Sequence, residues 1–128
     1  MTAYRRGVYR EKQVGARMRA NGYAVVESRG SHGAADLIAI KAGQCLMIQV
    51  KSGDASLRGA WLNELYLAAR DAGATPIVAD WPERGLMRLR RITGLHESRS
   101  RGWPLVDFTI DEVGAPAPHP IPGKEPHP

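Results

Sequence analysis

The first segment of the chain carries its apolar residues at helical spacing. The pattern predicts a helix over residues 4–20 whose apolar face holds Tyr4, Val8, Gly15 and Met18. Asn21 and Gly22 follow, and both tolerate the left-handed backbone that ends a helix. Glu11 falls on the same face, where a carboxylate is costly unless it meets a cation or metal. Glu11 therefore either reaches water at the edge of this face or belongs to a site.

Short runs rich in aliphatic residues follow this helix. They predict strands over residues 23–28, 36–40 and 45–51, a second helix over residues 57–72, and strands over residues 77–79, 86–90 and 105–110. A four-residue turn at 41–44 joins the second and third strands as a hairpin. The order is α-β-β-β-α-β-β, followed by an edge strand. This order predicts an α/β fold with a mixed sheet flanked by helices.

A change in composition divides the chain in two. Residues 114–128 contain six of the nine prolines, which cannot donate to a regular hydrogen-bond ladder. We expect one compact domain over residues 1–113 and a disordered tail over residues 114–128. No apolar run is long enough to span a membrane, and the N-terminus lacks the apolar segment of a secretory signal. The cytoplasm is the expected compartment, that of the host if a phage encodes the chain.

The charge of the chain favours a polyanionic partner. The net charge is +5, the pI is near 9.8, and arginine supplies 14 of the 18 basic residues. Arginine binds phosphate bidentately, so a nucleic acid is one interpretation, and a basic soluble protein without such a partner is the other. The single cysteine, Cys45, excludes an internal disulfide.

The predicted hairpin brings three polar side chains together at its open end. If Ile40 pairs with Cys45, then Asp36 lies opposite Gln49. Strand alternation then places Asp36, Gln49 and Lys51 on one face. Polar residues at alternate positions are also normal for a half-exposed strand, so the pattern alone fits either a surface or a site.

The residue types of this cluster suit phosphodiester hydrolysis. A hard divalent cation takes oxygen ligands, which Asp36, the Gln49 amide and the Val50 carbonyl can supply. Such an ion lowers the pKa of a bound water and stabilises charge on a phosphate. Lys51 can orient that water or stabilise the developing negative charge, and Glu11 can complete the site directly or through water.

The same cluster resembles a known motif. Asp36, twelve intervening residues and Gln49-Val50-Lys51 look like the PD-(D/E)XK nuclease motif, and residues 4–52 resemble its archaeal-type, Hjc-like Holliday junction resolvase branch. The matching stretches are Arg6-Gly7, Glu11, residues 21–26, Gly30-Ser31, residues 36–39 and residues 48–51. The resemblance implies a restriction-endonuclease-like core. It also implies a homodimer that binds a four-way DNA junction and nicks two opposed strands symmetrically, using Mg²⁺ or Mn²⁺.

The resemblance also implies roles for individual residues. Glu11, Asp36 and Gln49 match its acidic metal-site positions, and Lys51 matches its catalytic lysine. Ser31 matches a position that touches the DNA backbone near the cut. The expected DNA contacts are Arg5, Arg6, Arg29, Ser31 and His32.

This sequence departs from the motif at three positions. Gln49 replaces the usual Asp or Glu, and an amide offers an oxygen without the charge. Ala35 replaces the proline of the nominal motif, and Glu27 stands where relatives often carry arginine.

Two other functions fit the same residues. One is a different PD-(D/E)XK nuclease, of the repair, nicking or restriction type, because a shared scaffold does not fix the substrate. The other is a non-catalytic DNA-binding module in which Gln49 marks a lost metal site. Retention of Glu11, Asp36 and Lys51 favours an enzyme. Large apolar residues of the second helix either form a dimer surface or pack on the sheet, namely Trp61, Leu62, Leu65 and Tyr66.

Overall fold

The computed structural model describes residues 3–28, 34–51, 59–83, 86–97 and 102–109. Its elements in chain order are α1 (Ala3–Ala20), β1 (Ala24–Glu27), β2 (Leu37–Lys41), β3 (Gln44–Lys51), α2 (Gly59–Ala72), β4 (Thr75–Glu83), β5 (Leu86–Ile92) and β6 (Leu105–Asp107). This order confirms the predicted mixed sheet flanked by helices, with β6 as the last strand.

The strands form one sheet whose spatial order follows the chain, from β1 to β6. Neighbouring strands are antiparallel except β3 and β4, which are parallel. Parallel neighbours require a crossover connection, and α2 lies in that connection. Between Lys51 and Thr75 the chain therefore crosses back to the end of the sheet at which β3 begins. α2 lies over β3 and β4, the two strands that this connection joins.

The two helices cover opposite faces of the sheet. Under α1, Val14 and Met18 pack in a buried cluster with side chains of four strands, among them Leu37, Leu46, Ile48, Val50, Ile77, Ala79 and Leu89. Under α2, a second cluster joins Leu62, Leu65, Ala35, Val78 and Ile92. Met47 packs against this second cluster, so alternation along β3 places Gln49 and Lys51 on the α2 face.

This arrangement decides the role of the apolar residues of α2. Leu62 and Leu65 are fully buried, so they belong to the core and not to a surface. Trp61 and Tyr66 are half-buried and pack against the same cluster. The exposed apolar side chains of the described strands include Val26 and Ile40, which lie beyond α2 on β1 and β2.

The end of α1 matches its sequence prediction. The amides of Asn21 and Tyr23 both donate to the carbonyl of Met18, at 3.0 and 3.1 Å. Gly22 takes a φ of 90°, a left-handed value that glycine adopts without the clash of a Cβ. These bonds satisfy the carbonyl of Met18, one of those that the last helical turn leaves unpaired.

The hairpin has the predicted register and a shorter turn. Ile40 pairs with Cys45, as predicted, and Lys41 pairs with Gln44, so the loop has two residues and not four. Gly43 has a φ of 76°, and this left-handed backbone lets the chain reverse within two residues. The outermost pair of the ladder is Leu37 with Ile48, so Asp36 lies one residue outside it.

Other boundaries differ from the predicted ones. β4 is longer than the predicted 77–79, because pairing with strands on both sides orders its polar ends as well as its apolar centre. β5 extends to Ile92, and β6 ends at Asp107. The start predicted for the second helix at residues 57–58 lies outside the described residues, as does the tail over residues 114–128. In the described part of the chain, no helix is both long enough and apolar enough to cross a bilayer.

Candidate active site

The candidate site lies where β2 begins and β3 ends. The Asp36 Oδ2 atom accepts a hydrogen bond of 2.9 Å from the amide of Val50, and the Asp36 amide donates to the carbonyl of Ile48 at 2.8 Å. The carboxylate therefore takes the place of a strand carbonyl just beyond the end of the ladder. The ladder does not include the predicted pair of Asp36 with Gln49. The amide of Val50 holds the Asp36 side chain at the edge of β3 instead.

The carboxyl group of Asp36 is partly withdrawn from water. Burial raises its pKa above the ordinary 3.8, while the hydrogen bond from Val50 and the positive charge of Lys51 lower it, and burial is the largest of these effects. The negative charge at this position is therefore poorly solvated in the protein alone. A cation that shared the site would offset this cost.

Lys51 ends β3 on the face covered by α2. Its ammonium nitrogen lies 4.5 Å from the centroid of the Trp61 ring. Directly beside it, Asp80 of β4 is its register partner, and Arg88 of β5 is in turn the partner of Asp80. Register partners project from the same face of a sheet. One row of charged side chains therefore crosses three strands at this end of the sheet.

Gln49 belongs to the next row into the sheet. Its register partner on β4 is Val78, whose partner on β5 is Arg90. Gln49 is half-buried, and it lies on the same face as Lys51 two residues away. The prediction that Gln49 and Lys51 share a face is thus confirmed.

Glu11 approaches from the opposite face. It lies on α1 one turn before Val14, which packs against the sheet, and it is half-buried. Its neighbour Arg10 stacks its guanidinium 4.5 Å over the ring of Trp81, which follows Asp80 on β4. This part of α1 therefore reaches the end of the sheet at which Lys51 and Asp80 lie.

The expected DNA contacts divide into two groups. Arg5 and Arg6 are exposed near the start of α1. Arg29, Ser31 and His32 lie outside the described residues.

Sequence reasoning missed the residues that surround Lys51 on the α2 face. Asp80 accepts hydrogen bonds from Arg88 Nε at 3.0 Å, Arg88 Nη2 at 2.8 Å and Arg90 Nη2 at 3.1 Å. The available signal was Asp80 itself, a carboxylate directly after the apolar run 77–79. Trp61 gave no such signal, because its spacing is that of a core residue.

The arrangement contains few charged metal ligands. In the described residues, no group of three or more His, Cys, Asp or Glu side chains is placed to hold a metal ion. Besides Asp36, the described residues of the hairpin offer neutral oxygens, namely the Gln49 amide and the Val50 carbonyl. The amide and the carbonyl of a strand residue point to the same edge, and the Val50 amide already points to Asp36.

Comparison with known proteins places the chain in a family. The family model described as archaeal Holliday junction resolvase (Hjc) matches residues 2–114. The chain belongs to the archaeal Holliday junction resolvase family. Membership of the Hjc family makes the chain an endonuclease that acts on DNA.

A solved structure has the same fold. Hjc of Archaeoglobus fulgidus, a Holliday junction resolvase from an archaeal hyperthermophile, superposes with a TM-score of 0.65 at 22% sequence identity. The match covers 85% of this chain and 100% of that one. No curated protein sequence matches the chain. The Hjc family is also one whose members require a divalent metal.

Proposed function

We propose that this chain resolves four-way DNA junctions as a homodimer, by metal-dependent paired nicks placed symmetrically in two opposed strands. The observation that carries the proposal is the half-buried Asp36 carboxylate, held by the Val50 amide and influenced by the charge of Lys51. A carboxylate and a lysine at one end of a hairpin suit phosphodiester hydrolysis, and the family supplies the branched substrate.

The donor set fits a hard divalent cation, for which we propose Mg²⁺ or Mn²⁺. Asp36, the Gln49 amide oxygen and the Val50 carbonyl would hold the ion, and Glu11 would reach it directly or through water. When bound, the ion supplies an activated water and neutralises charge on the phosphate. The raised pKa of Asp36 supports this assignment, because a poorly solvated carboxylate gains most from a cation.

The chain's own residues then have distinct tasks. Asp36 supplies a carboxylate oxygen to the ion beside the end of β3, and Lys51 offers its positive charge to the scissile phosphate as negative charge develops. Arg5 and Arg6, exposed on α1, would contact phosphates farther along the strand. Arg29, Ser31 and His32 remain proposed contacts in the segment between β1 and β2.

A homodimer follows from the paired cuts. One chain carries one copy of the motif, so two opposed nicks in one junction need two chains. Symmetric partners place the two sites in equivalent positions, which matches the symmetry of a four-way junction. The cytoplasmic location predicted from the sequence stays a prediction.

Cleavage of a labelled four-way junction beside a matched linear duplex tests this proposal. The reactions contain Mg²⁺, Mn²⁺ or EDTA, and they compare the native chain with Asp36→Asn. The matched control is Asp71→Asn, which removes one negative charge at an exposed position of α2.

We expect paired symmetric nicks in the junction, which need the metal, disappear in Asp36→Asn and persist in Asp71→Asn. Equal cutting of plain duplex or of flaps would instead favour a different nuclease on the same scaffold. Tight junction binding without cutting in either metal would contradict the enzymatic proposal.

A further inference from the structure

The ammonium group of Lys51 rests on an aromatic ring and not on a carboxylate. Its Nζ atom lies 4.5 Å from the centroid of Trp61, within the distance at which a cation is attracted to a ring face. Trp61 is half-buried on α2, where it packs against the cluster that includes Leu62 and Leu65. The ring is therefore held by the core, and it presents a fixed surface to a flexible side chain.

Asp80, the register partner of Lys51, already forms ion pairs with two arginines. Asp80 stands beside Lys51 on the neighbouring strand, and Arg88 engages both of its carboxylate oxygens while Arg90 shares one of them. In the described part of the chain, no carboxylate lies within salt-bridge distance of Lys51. The arginines of β5 thus keep Asp80 engaged away from the lysine.

A catalytic lysine needs order without neutralisation. A lysine side chain has a long flexible stem, and ordering it during the reaction costs conformational entropy. A carboxylate partner would order the side chain, but it would also compete with the phosphate for the positive charge. An aromatic ring orders the ammonium and leaves its charge available, because the ring carries no net charge.

We propose that Trp61 is a positioning residue that holds the ammonium of Lys51 at the end of β3 for contact with the scissile phosphate. This inference rests on the proposed function, since it assigns a task to Trp61 in the same site. Trp61 acts through Lys51 and does not itself contact the reacting atoms.

Two substitutions separate this role from simple packing. Trp61→Phe keeps an aromatic face with a weaker attraction for a cation, whereas Trp61→Leu keeps apolar bulk and removes the ring. The control is Trp103→Leu, which removes an exposed tryptophan stacked 4.0 Å from the ring of His96. Thermal unfolding of each variant shows which of them retain the fold.

The first measurement is structural and does not depend on activity. In the full chain labelled at lysine, the ε-methylene protons of Lys51 should be shifted upfield by the ring current of Trp61. The chain has only four lysines, and Lys51→Arg assigns the signal. We expect the shift to shrink in Trp61→Phe, to vanish in Trp61→Leu and to persist in Trp103→Leu.

The second measurement is single-turnover cleavage of a four-way junction together with the Kd for that junction. We expect Trp61→Leu to cut roughly 3- to 30-fold more slowly with nearly unchanged Kd, and Trp61→Phe to recover most of the rate. If the native chain and Trp61→Leu cut the junction equally fast, the positioning role of Trp61 would be overturned and the proposed function would stand.

Two further results would also decide the matter. Lys51 protons without an upfield shift in the native chain would overturn the inference whatever the cleavage rates. A native chain that cuts no junction would overturn the proposed function, and the positioning role would fall with it. If Trp61→Leu does not fold, the comparison of Trp61→Phe with the native chain carries the same test at smaller amplitude.

Discussion

The Asp36 carboxylate and the Val50 amide are joined by a hydrogen bond of 2.9 Å that extends the hairpin beyond its last paired residues. A side chain here does what a backbone carbonyl does elsewhere in the ladder. The bond gives Asp36 a defined position, but it does not fully offset the cost of partial burial, and the pKa of Asp36 is raised. In the metal-free chain, the ionised Asp36 carboxylate that the proposed function needs therefore lowers the stability of the fold.

Asp36→Asn should make this opposition measurable. Because the folded-state pKa of Asp36 is raised, the stability that its protonated form contributes is present below the ordinary pKa of 3.8 and is lost as the pH rises through the folded-state value. Asparagine does not titrate. In EDTA, the free energy of unfolding of Asp36→Asn relative to the native chain should therefore increase over this pH range and then level off.

Urea unfolding between about pH 3.5 and 7 measures this difference. The same series on Asp71→Asn corrects for the loss of one negative charge at an exposed position. Added Mg²⁺ should stabilise the native chain more than Asp36→Asn, because a ligand of the folded state raises its stability. If the free energy of unfolding of Asp36→Asn relative to the native chain in EDTA fell as the pH rose, this result would contradict the burial of Asp36.

Gln49→Glu should strengthen metal binding. The substitution adds a negative charge on β3, where the proposed site otherwise offers only the neutral oxygens of Gln49 and Val50, and affinity for hard cations rises with ligand charge. We expect the Mg²⁺ concentration for half-maximal cleavage to fall about tenfold, which corresponds to about 1.4 kcal/mol. A Mg²⁺ titration of junction cleavage measures it.

Gln44→Glu is the control for this change. Gln44 begins the same strand at the opposite end, where its side-chain oxygen accepts a hydrogen bond of 2.6 Å from the hydroxyl of Tyr23. A glutamate there adds the same charge far along the strand from Lys51. Equal effects of the two substitutions would mean that Gln49 does not contact the metal.

Arg88→Met should impair cleavage indirectly. Arg88 engages both oxygens of Asp80, whereas Arg90 bonds only one of them. Loss of Arg88 therefore leaves the second oxygen of Asp80 able to attract Lys51 on the neighbouring strand. We expect the single-turnover rate to fall about three- to tenfold, because the competing ion pair is partly exposed and its energy is modest.

The double substitution Asp80→Asn with Arg88→Met tests this explanation. Removing the charge of Asp80 should restore most of the rate, whereas a loss caused by a missing DNA contact of Arg88 would persist. Arg91→Met serves as a control for lost positive charge, since Arg91 is exposed and adjacent strand positions face opposite sides. A double variant no faster than Arg88→Met would contradict the capture of Lys51.

Local pattern was enough to predict the hairpin and one face of the site. The register of Ile40 with Cys45 follows from alternation on both strands, since a slip of one residue would turn Leu46 and Ile48 away from the core. The position of Glu11 on the inner side of α1 follows from helical period in the same way. These predictions needed no knowledge of how distant segments meet.

The remaining features depend on the parallel pairing of β3 with β4. Only this crossover brings Asp80 beside Lys51 and places α2 with Trp61 above them. No local pattern states which strand will occupy the free edge of β3. The hydrogen bond from Val50 to Asp36 was also missed, because pairing rules describe residues inside a ladder and Asp36 lies beyond its end.

Two glycines should respond to alanine with opposite signs. Gly7 lies within α1 and Gly73 follows α2 with a φ of 71°, and an added Cβ meets no atom within 4 Å at either position. Backbone conformation, and not side-chain packing, therefore sets the change in the free energy of unfolding at both positions.

Gly7→Ala should stabilise the chain by about 0.5–1 kcal/mol, because alanine loses less conformational freedom in a helix. Gly73→Ala should destabilise it by about 1 kcal/mol, because alanine is strained in the left-handed region. Urea unfolding measures both, and changes of the same sign would contradict the assigned backbone at one of the two positions.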